Sequence, residues 1–356
     1  MLRVGYHFLT YAVLAMPVLA GDPRSAQDLH PRPLQFPSRA MTVSEVLKHL
    51  QVETENSVVD KRKIKSDDPK LTLTTKSFWE SLDALGEATK IGFSAYQEEG
   101  GVALIDGPYR KLTTHYSGLF RFALKRTSIN RDDETQTHFV QLTLDAAWEP
   151  RLQPLYLNLE SASATVGKRT EKIDRQAMRS VAGTGATEFE VRLPAPPRAV
   201  MQIDSLKGEL RVIGAPKMLD FTFEKIKDND ARSAKREGVE VEVGVLKKTA
   251  TRWSLLLTIK NPRGAIAPLE SFQSWLDNNR LTLTWIDPQS KKVKTLEPIN
   301  EVQEGDGETM KIHFDFTARP DTPLPPRSAD VTLRYRTPNR VVAFTVPFAF
   351  ENLPLP

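Results

Sequence analysis

The chain has 356 residues, 40% of them hydrophobic and 26% charged, with a formal net charge of +4 and no cysteine. That length exceeds what one core usually serves, so two or three domains are expected, and the mixed composition excludes disorder throughout. The absence of cysteine excludes disulfides, thiol catalysis, thiolate metal sites and lipid attachment at an N-terminal cysteine. Positive charge is spread along the chain instead of gathering on one face, which argues against nucleic-acid binding. The densest basic run, DKRKIK from Asp60 to Lys65, is followed by Asp67 and Asp68 and reads as a solvated loop.

Residues 1–20, MLRVGYHFLTYAVLAMPVLA, have a basic start at Arg3, an apolar stretch from Phe8 to Leu19, and small residues at Val18 and Ala20. This is the pattern of a signal peptide cleaved after Ala20. The apolar stretch is short of the roughly 20 residues a spanning helix needs, and Pro17 interrupts it. An exported chain without cysteine fits a bacterial envelope, so the expected location is periplasmic or extracytoplasmic, with no transmembrane segment in the mature chain. Residues 21–33, polar and proline-punctuated, read as a spacer.

Between 34 and 109 the signals alternate. LQF from Leu34 predicts a short strand, and TVSEVLKHL follows with Thr42 and Glu45 in capping-box spacing and Val43, Val46, Leu47 and Leu50 on one helical face. NSVVD and KLTLT predict two further strands. Ser77 and Glu80 then repeat the capping spacing, Phe78, Leu82 and Leu85 form a second stripe ending near Gly92, and IGFSAY and GVALID predict a closing hairpin. The order is that of a small βαββαββ-like α/β layer structure. The run TVSEVLKHLQVETENSVVD, KLTLTTKSFWESLDALGEATKIGFSAY and GGVALID resembles the short N-terminal domain of secretins and TonB-dependent transducers. The resemblance implies a periplasmic domain that makes protein contacts and performs no chemistry. Those families continue into large outer-membrane β structures, and the roughly 250 residues left here do not match that plan.

From Leu112 the apolar period becomes two. GLFRFAL, HFVQLTLDAAW, PLYLNL, EFEVRL, KGELRVI and LDFTFEKI predict strands of an antiparallel immunoglobulin-like β-sandwich over 110–226, with GKRTEKIDRQAMRSVAGTG as a polar, partly helical excursion. Residues 227–237, KDNDARSAKRE, read as a linker. GVEVEVGV, RWSLLLTI, RLTLTWI, MKIHFDF, ADVTLRY and RVVAFTVPFAF predict a second sandwich over 238–356, with Pro347 marking its last strand as an edge or bulge. The segments from Phe189 and from Ile312 align without a gap: Phe189, Val191 and Leu193 match Ile312, Phe314 and Phe316, and Leu210 and Val212 match Leu333 and Tyr335. The two sandwiches are therefore expected to be distant repeats. WEPRLQPL, SFQSWL and PFAFENLPLP resemble stretches of uncharacterised envelope proteins of planctomycete bacteria, which implies no activity.

No histidine pair has metal-ligand spacing, and no nucleophile elbow, phosphate loop or dinucleotide fingerprint occurs. The acidic stretches NRDDET and EVQEGDGET lack the ligand series of a calcium loop and read as solvated turns. The expectation is a non-enzymatic exported protein without cofactor or metal, a scaffold or interaction module for an envelope protein partner. Carbohydrate binding by a sandwich with an exposed tryptophan is the alternative, and an enzyme with dispersed carboxylates ranks last. Trp79 lies off the Phe78, Leu82 and Leu85 stripe, so Trp79, Asp83 and Glu87 are the predicted partner contacts on the outer face of their helix.

Overall fold

The computed structural model describes residues 29–63, 68–97, 101–132, 134–215, 218–226, 231–260, 279–305, 309–319, 322–339 and 342–356. Helix α1 (Val43–Thr54) starts at a complete capping box: Thr42 Oγ1 accepts from the Glu45 amide, and Glu45 Oε2 accepts from the Thr42 amide at 2.8 Å. Helix α2 (Phe78–Thr89) has half of that device. Ser77 Oγ accepts from the Glu80 amide, but the Glu80 carboxylate turns to the Ser77 hydroxyl and the Lys76 amide. The helix ends on Lys90 in the left-handed conformation, before Gly92.

Strands β1 (Val58–Asp60), β2 (Ile91–Ser94) and β3 (Val102–Pro108) form a small sheet in the order β1-β3-β2, with β1 parallel and β2 antiparallel to β3. Val46, Leu50, Phe78, Leu82, Leu85, Val102 and Leu104 share one core. The strands expected at LQF and KLTLT do not form. Their leucines are buried, with Leu34 at 3% and Leu71 and Leu73 at 7% exposure, yet the pairing there is a single bridge between Met41 and Leu71. Alternation reported burial without a ladder. Nor is the DKRK run wholly solvated, because Arg62 is buried and pairs with both Asp60 and Asp68.

The rest of the described chain is β. Strands β4 (Thr113–Ser117), β5 (Phe120–Asp132), β6 (Thr137–Trp148) and β10 (Ala186–Pro194) make one sheet in the order β10-β6-β5-β4. Facing it are β7 (Gln153–Val166), β8 (Arg169–Ile173), β11 (Gln202–Ala215) and β22 (Val342–Pro354) in the order β22-β11-β7-β8, with β9 (Arg179–Ser180) beside β7. Strands β8 and β9 stand where a partly helical excursion was expected. The Phe348 ring bridges the two sheets, 5.2 Å from Phe122 and 5.6 Å from Phe189. Gly208 on β11 makes room for it, since a Cβ there would come within 2.5 Å of Phe348 Cζ.

A second sandwich packs β13 (Arg232–Arg236), β14 (Val239–Val243), β16 (Arg252–Lys260), β20 (Thr309–Thr317) and β19 (Ile299–Gly305), in that order, with β15 (Lys247–Lys248) on β16. Its other sheet is β12 (Met218–Ile226), β21 (Val331–Pro338), β17 (Arg280–Ile286) and β18 (Val293–Leu296). Trp253, Leu257, Phe316, Tyr335, Leu283 and Phe221 are among its core residues.

Two expected boundaries are corrected by these pairings. Strand β12, placed in the first sandwich by sequence, pairs with β21 of the second, and β22, placed in the second, pairs with β11 of the first. The expected 227–237 linker contains β13, paired residue by residue with β14. Period-two alternation says that a strand has one buried face; it does not say which sheet receives that strand. Pro347 sits on the edge strand β22, where a missing amide donor is tolerated.

Candidate functional site

The residues singled out on α2 converge on the boundary between the N-terminal elements and the first sandwich. Trp79 and Asp83 are 2% and 7% exposed, so the expectation that they lie on an outer face is corrected. The Trp79 indole Nε1 donates to the Leu119 carbonyl at 3.0 Å, in the turn that leads into β5. Phe78 and Leu82 face the core of the N-terminal elements, and Ala147 and Ala186 of the sandwich join that same core. The helix therefore buries two adjacent faces, one of which is too polar for the apolar stripe to reveal.

Asp83 is the centre of the polar part. Its Oδ1 accepts from the Tyr109 hydroxyl and Arg121 Nη2, each at 2.9 Å, and its Oδ2 accepts from the Tyr116 hydroxyl at 2.6 Å and Arg121 Nε at 2.7 Å. The Arg121 guanidinium also lies over the Phe93 ring, 5.4 Å from its centroid. Burial pulls the Arg121 pKa down, but the Asp83 carboxylate outweighs it and the net shift is upward. Burial, with the Asp83 hydrogen bond and charge, pushes the Tyr116 phenol up to about 12 and the Tyr109 phenol upward as well. Gly86, one turn on from Asp83, leaves space for the Tyr109 ring that any Cβ would fill.

Two further contacts flank this one. Tyr96 donates its hydroxyl to Asp145 of β6, with Lys125 over the Tyr96 ring at 4.9 Å. Burial raises the Asp145 pKa despite the Tyr96 bond and the Lys125 and Arg121 charges. On the other side Asn56 donates to Glu149 at 2.8 Å and accepts from the Arg151 amide at 3.0 Å, while Arg151 Nε pairs with Glu149 at 2.8 Å. Burial again raises the Glu149 pKa. Glu87 alone of the three predicted contacts is exposed, paired with Lys111 at 2.7 Å.

These carboxylates are engaged by donors from both sides of the boundary, an arrangement that fastens two bodies together. Asp83 has four donors on its two oxygens, so a substrate proton would compete with all of them. Asn56, Tyr96, Asp145 and Glu149 carried no sequence signal, because their partners lie tens of residues away in the chain. Among the described residues no cluster of metal-ligating side chains occurs, and no helix is long and apolar enough to cross a membrane. Asp132 spends its carboxylate on the Glu134 and Thr135 amides of its own turn; Asp133 and the tip of EVQEGDGET lie outside the described residues.

The four described tryptophans, Trp79, Trp148, Trp253 and Trp285, are at most 4% exposed, so none of them offers a ring face to a sugar. Trp275 lies outside the described residues. An open cleft of about 340 Å³ lies between the sandwiches, lined by Gln153, Leu155, Gly183, Arg280, Glu297 and Arg336 among others. Arg280 and Glu297 pair with each other across part of it at 2.7 Å.

The fold defines a mostly β protein of several antiparallel sheets. No family model and no curated protein matches the chain. Among solved structures, a conserved domain protein from Bacillus anthracis aligns at 9% identity over 68% of this chain and 90% of its own, with a TM-score of 0.18, a likeness too slight to carry an argument.

Proposed function

We propose that the chain is an exported, non-enzymatic scaffold of the cell envelope whose N-terminal elements are held in a fixed pose for a protein partner. Export rests on the N-terminal sequence pattern, and partner binding rests on the resemblance of residues 34–109 to the short N-terminal domain of secretins and TonB-dependent transducers. The strand orders β10-β6-β5-β4 and β22-β11-β7-β8 support an immunoglobulin-like outline for the sandwich that carries them.

The observation that carries the reading is the polar boundary itself. Asp83, Asp145 and Glu149, buried carboxylates of the kind a catalytic site would use, each hold a donor from across the boundary. Such contacts give orientation more than affinity. With α2 committed inward, the surface left for a partner is that of α1 and β1, where Val52 and Val59 are 67% and 53% exposed, together with Glu87.

A photo-crosslinking residue placed at 52, 59 or 87 of the full chain in its native envelope, with 286 and 293 as comparison positions, tests this directly. One discrete protein adduct from the first three positions is expected. Adducts arising only from the exposed apolar pair Ile286 and Val293 on the second sandwich, or from no position, would overturn the reading. Removing the N-terminal elements is the poorer test, since it strips Arg121 and Ala147 of their cover.

A further inference from the structure

The two sandwiches share a frame of four strands in each sheet; β9, which pairs with β7 in the first, and β15 and β19, which pair with β16 and β20 in the second, stand outside it. The order β10-β6-β5-β4 corresponds to β20-β16-β14-β13, and β22-β11-β7-β8 corresponds to β12-β21-β17-β18. The gapless alignment of the segments from Phe189 and Ile312 places β10 on β20 and β11 on β21, which hold the same places in that shared frame. Continued without a gap, it sets Leu210-Arg211 on Leu333-Arg334 and then Phe221-Thr222 of β12 on Phe344-Thr345 of β22. By sequence, then, β12 is the closing strand of the first copy and β22 that of the second. By pairing, each closes the other copy.

We propose that the two sandwiches are duplicates that have exchanged their closing strands, forming a clasp in which neither can open without uncovering its neighbour. The register across the junction carries the argument. Arg211 faces Thr345 of β22, and its counterpart Arg334 faces Thr222 of β12. Gly214 faces Val342, and four residues on Met218 faces Pro338, four residues back on the other strand. The two pairings lie on one continuous register, as two hairpins do after opening and joining end to end.

The sequence also supplies a reason. A hairpin between β11 and β12 that kept the pairing of the repeat would turn on Pro216-Lys217, with Arg211 facing Thr222. Two-residue hairpin turns that suit strand twist need positive φ at the first loop position. Proline is fixed near −65° and cannot supply it. Obstructing one hairpin is sufficient, because β12 leaves β11 with an open edge that β22 then fills.

The chain lacks cysteine, so engineered pairs report cleanly. Opposed residues in antiparallel strands have Cα atoms about 4.5–5.5 Å apart, within the span of a disulfide. All four positions are exposed, which spares the cores. After mild oxidation of the folded chain, Arg211→Cys/Thr345→Cys and Arg334→Cys/Thr222→Cys should each lose their free thiols within a monomer. Arg211→Cys/Thr222→Cys and Arg334→Cys/Thr345→Cys should keep them. The reverse pattern would overturn the exchange, and a disulfide-linked dimer of the first pair would show that it runs between chains instead of within one.

Discussion

At the scale of single residues, the boundary between the N-terminal elements and the first sandwich has the chemistry of a lock. Arg121 is 5% exposed and has Asp83 as its anionic partner at 2.7 Å. Asp83→Ala would leave a buried guanidinium uncompensated, at a cost of about 3–5 kcal/mol, while replacing both by apolar residues should recover much of it. Denaturant midpoints of the single and double variants check this. Asp145 behaves in the opposite sense. Burial raises its folded pKa above the unfolded value, so the folded chain holds more protons between the two and loses stability as pH rises through that window. Asp145→Asn keeps an acceptor for Tyr96 and removes the charge, so its melting temperature should gain on the parent from pH 4 toward pH 7. Thermal melts across that range decide it. None of these pairings was legible in the sequence, because a carboxylate on a helix face looks the same whether it meets water or an arginine 38 positions away.

At the scale of elements, local chemistry was legible and partnership was not. The Thr42 and Glu45 spacing gave a real capping box, and Thr42→Ala should cost about 1 kcal/mol, measurable by chemical denaturation. The Ser77 and Glu80 spacing was the same, yet Glu80 found the Ser77 hydroxyl and the Lys76 amide instead. Strand existence was readable from Phe120, Phe122 and Leu124 or from Val342, Val346 and Phe350, whose alternation needs only a core on one side. Sheet order was not, since β12 and β22 suit either sandwich equally by pattern. The outer strands carry a further signature: Arg169 and Lys172 on β8 and Lys235 and Arg236 on β13 place cations along open edges. Charged edges oppose strand addition. Arg169→Val/Lys172→Val should therefore raise aggregation in light scattering with little change in the melting temperature.

At the scale of the whole molecule, the three bodies expected from the sequence are joined by shared contacts and strand pairings. The polar boundary fixes the first to the second, and the ribbon of β11, β12, β21 and β22 fixes the second to the third. The direct test is hydrogen exchange by mass spectrometry on Phe221→Ala, a truncation of a side chain that is 0% exposed in the second sandwich. Loss of about 3–5 kcal/mol is expected there. If the closing strands are exchanged, protection of β5 and β6 in the first sandwich should fall by the same amount as that of β14 and β16 in the second. Undiminished protection of β5 and β6 would contradict the account.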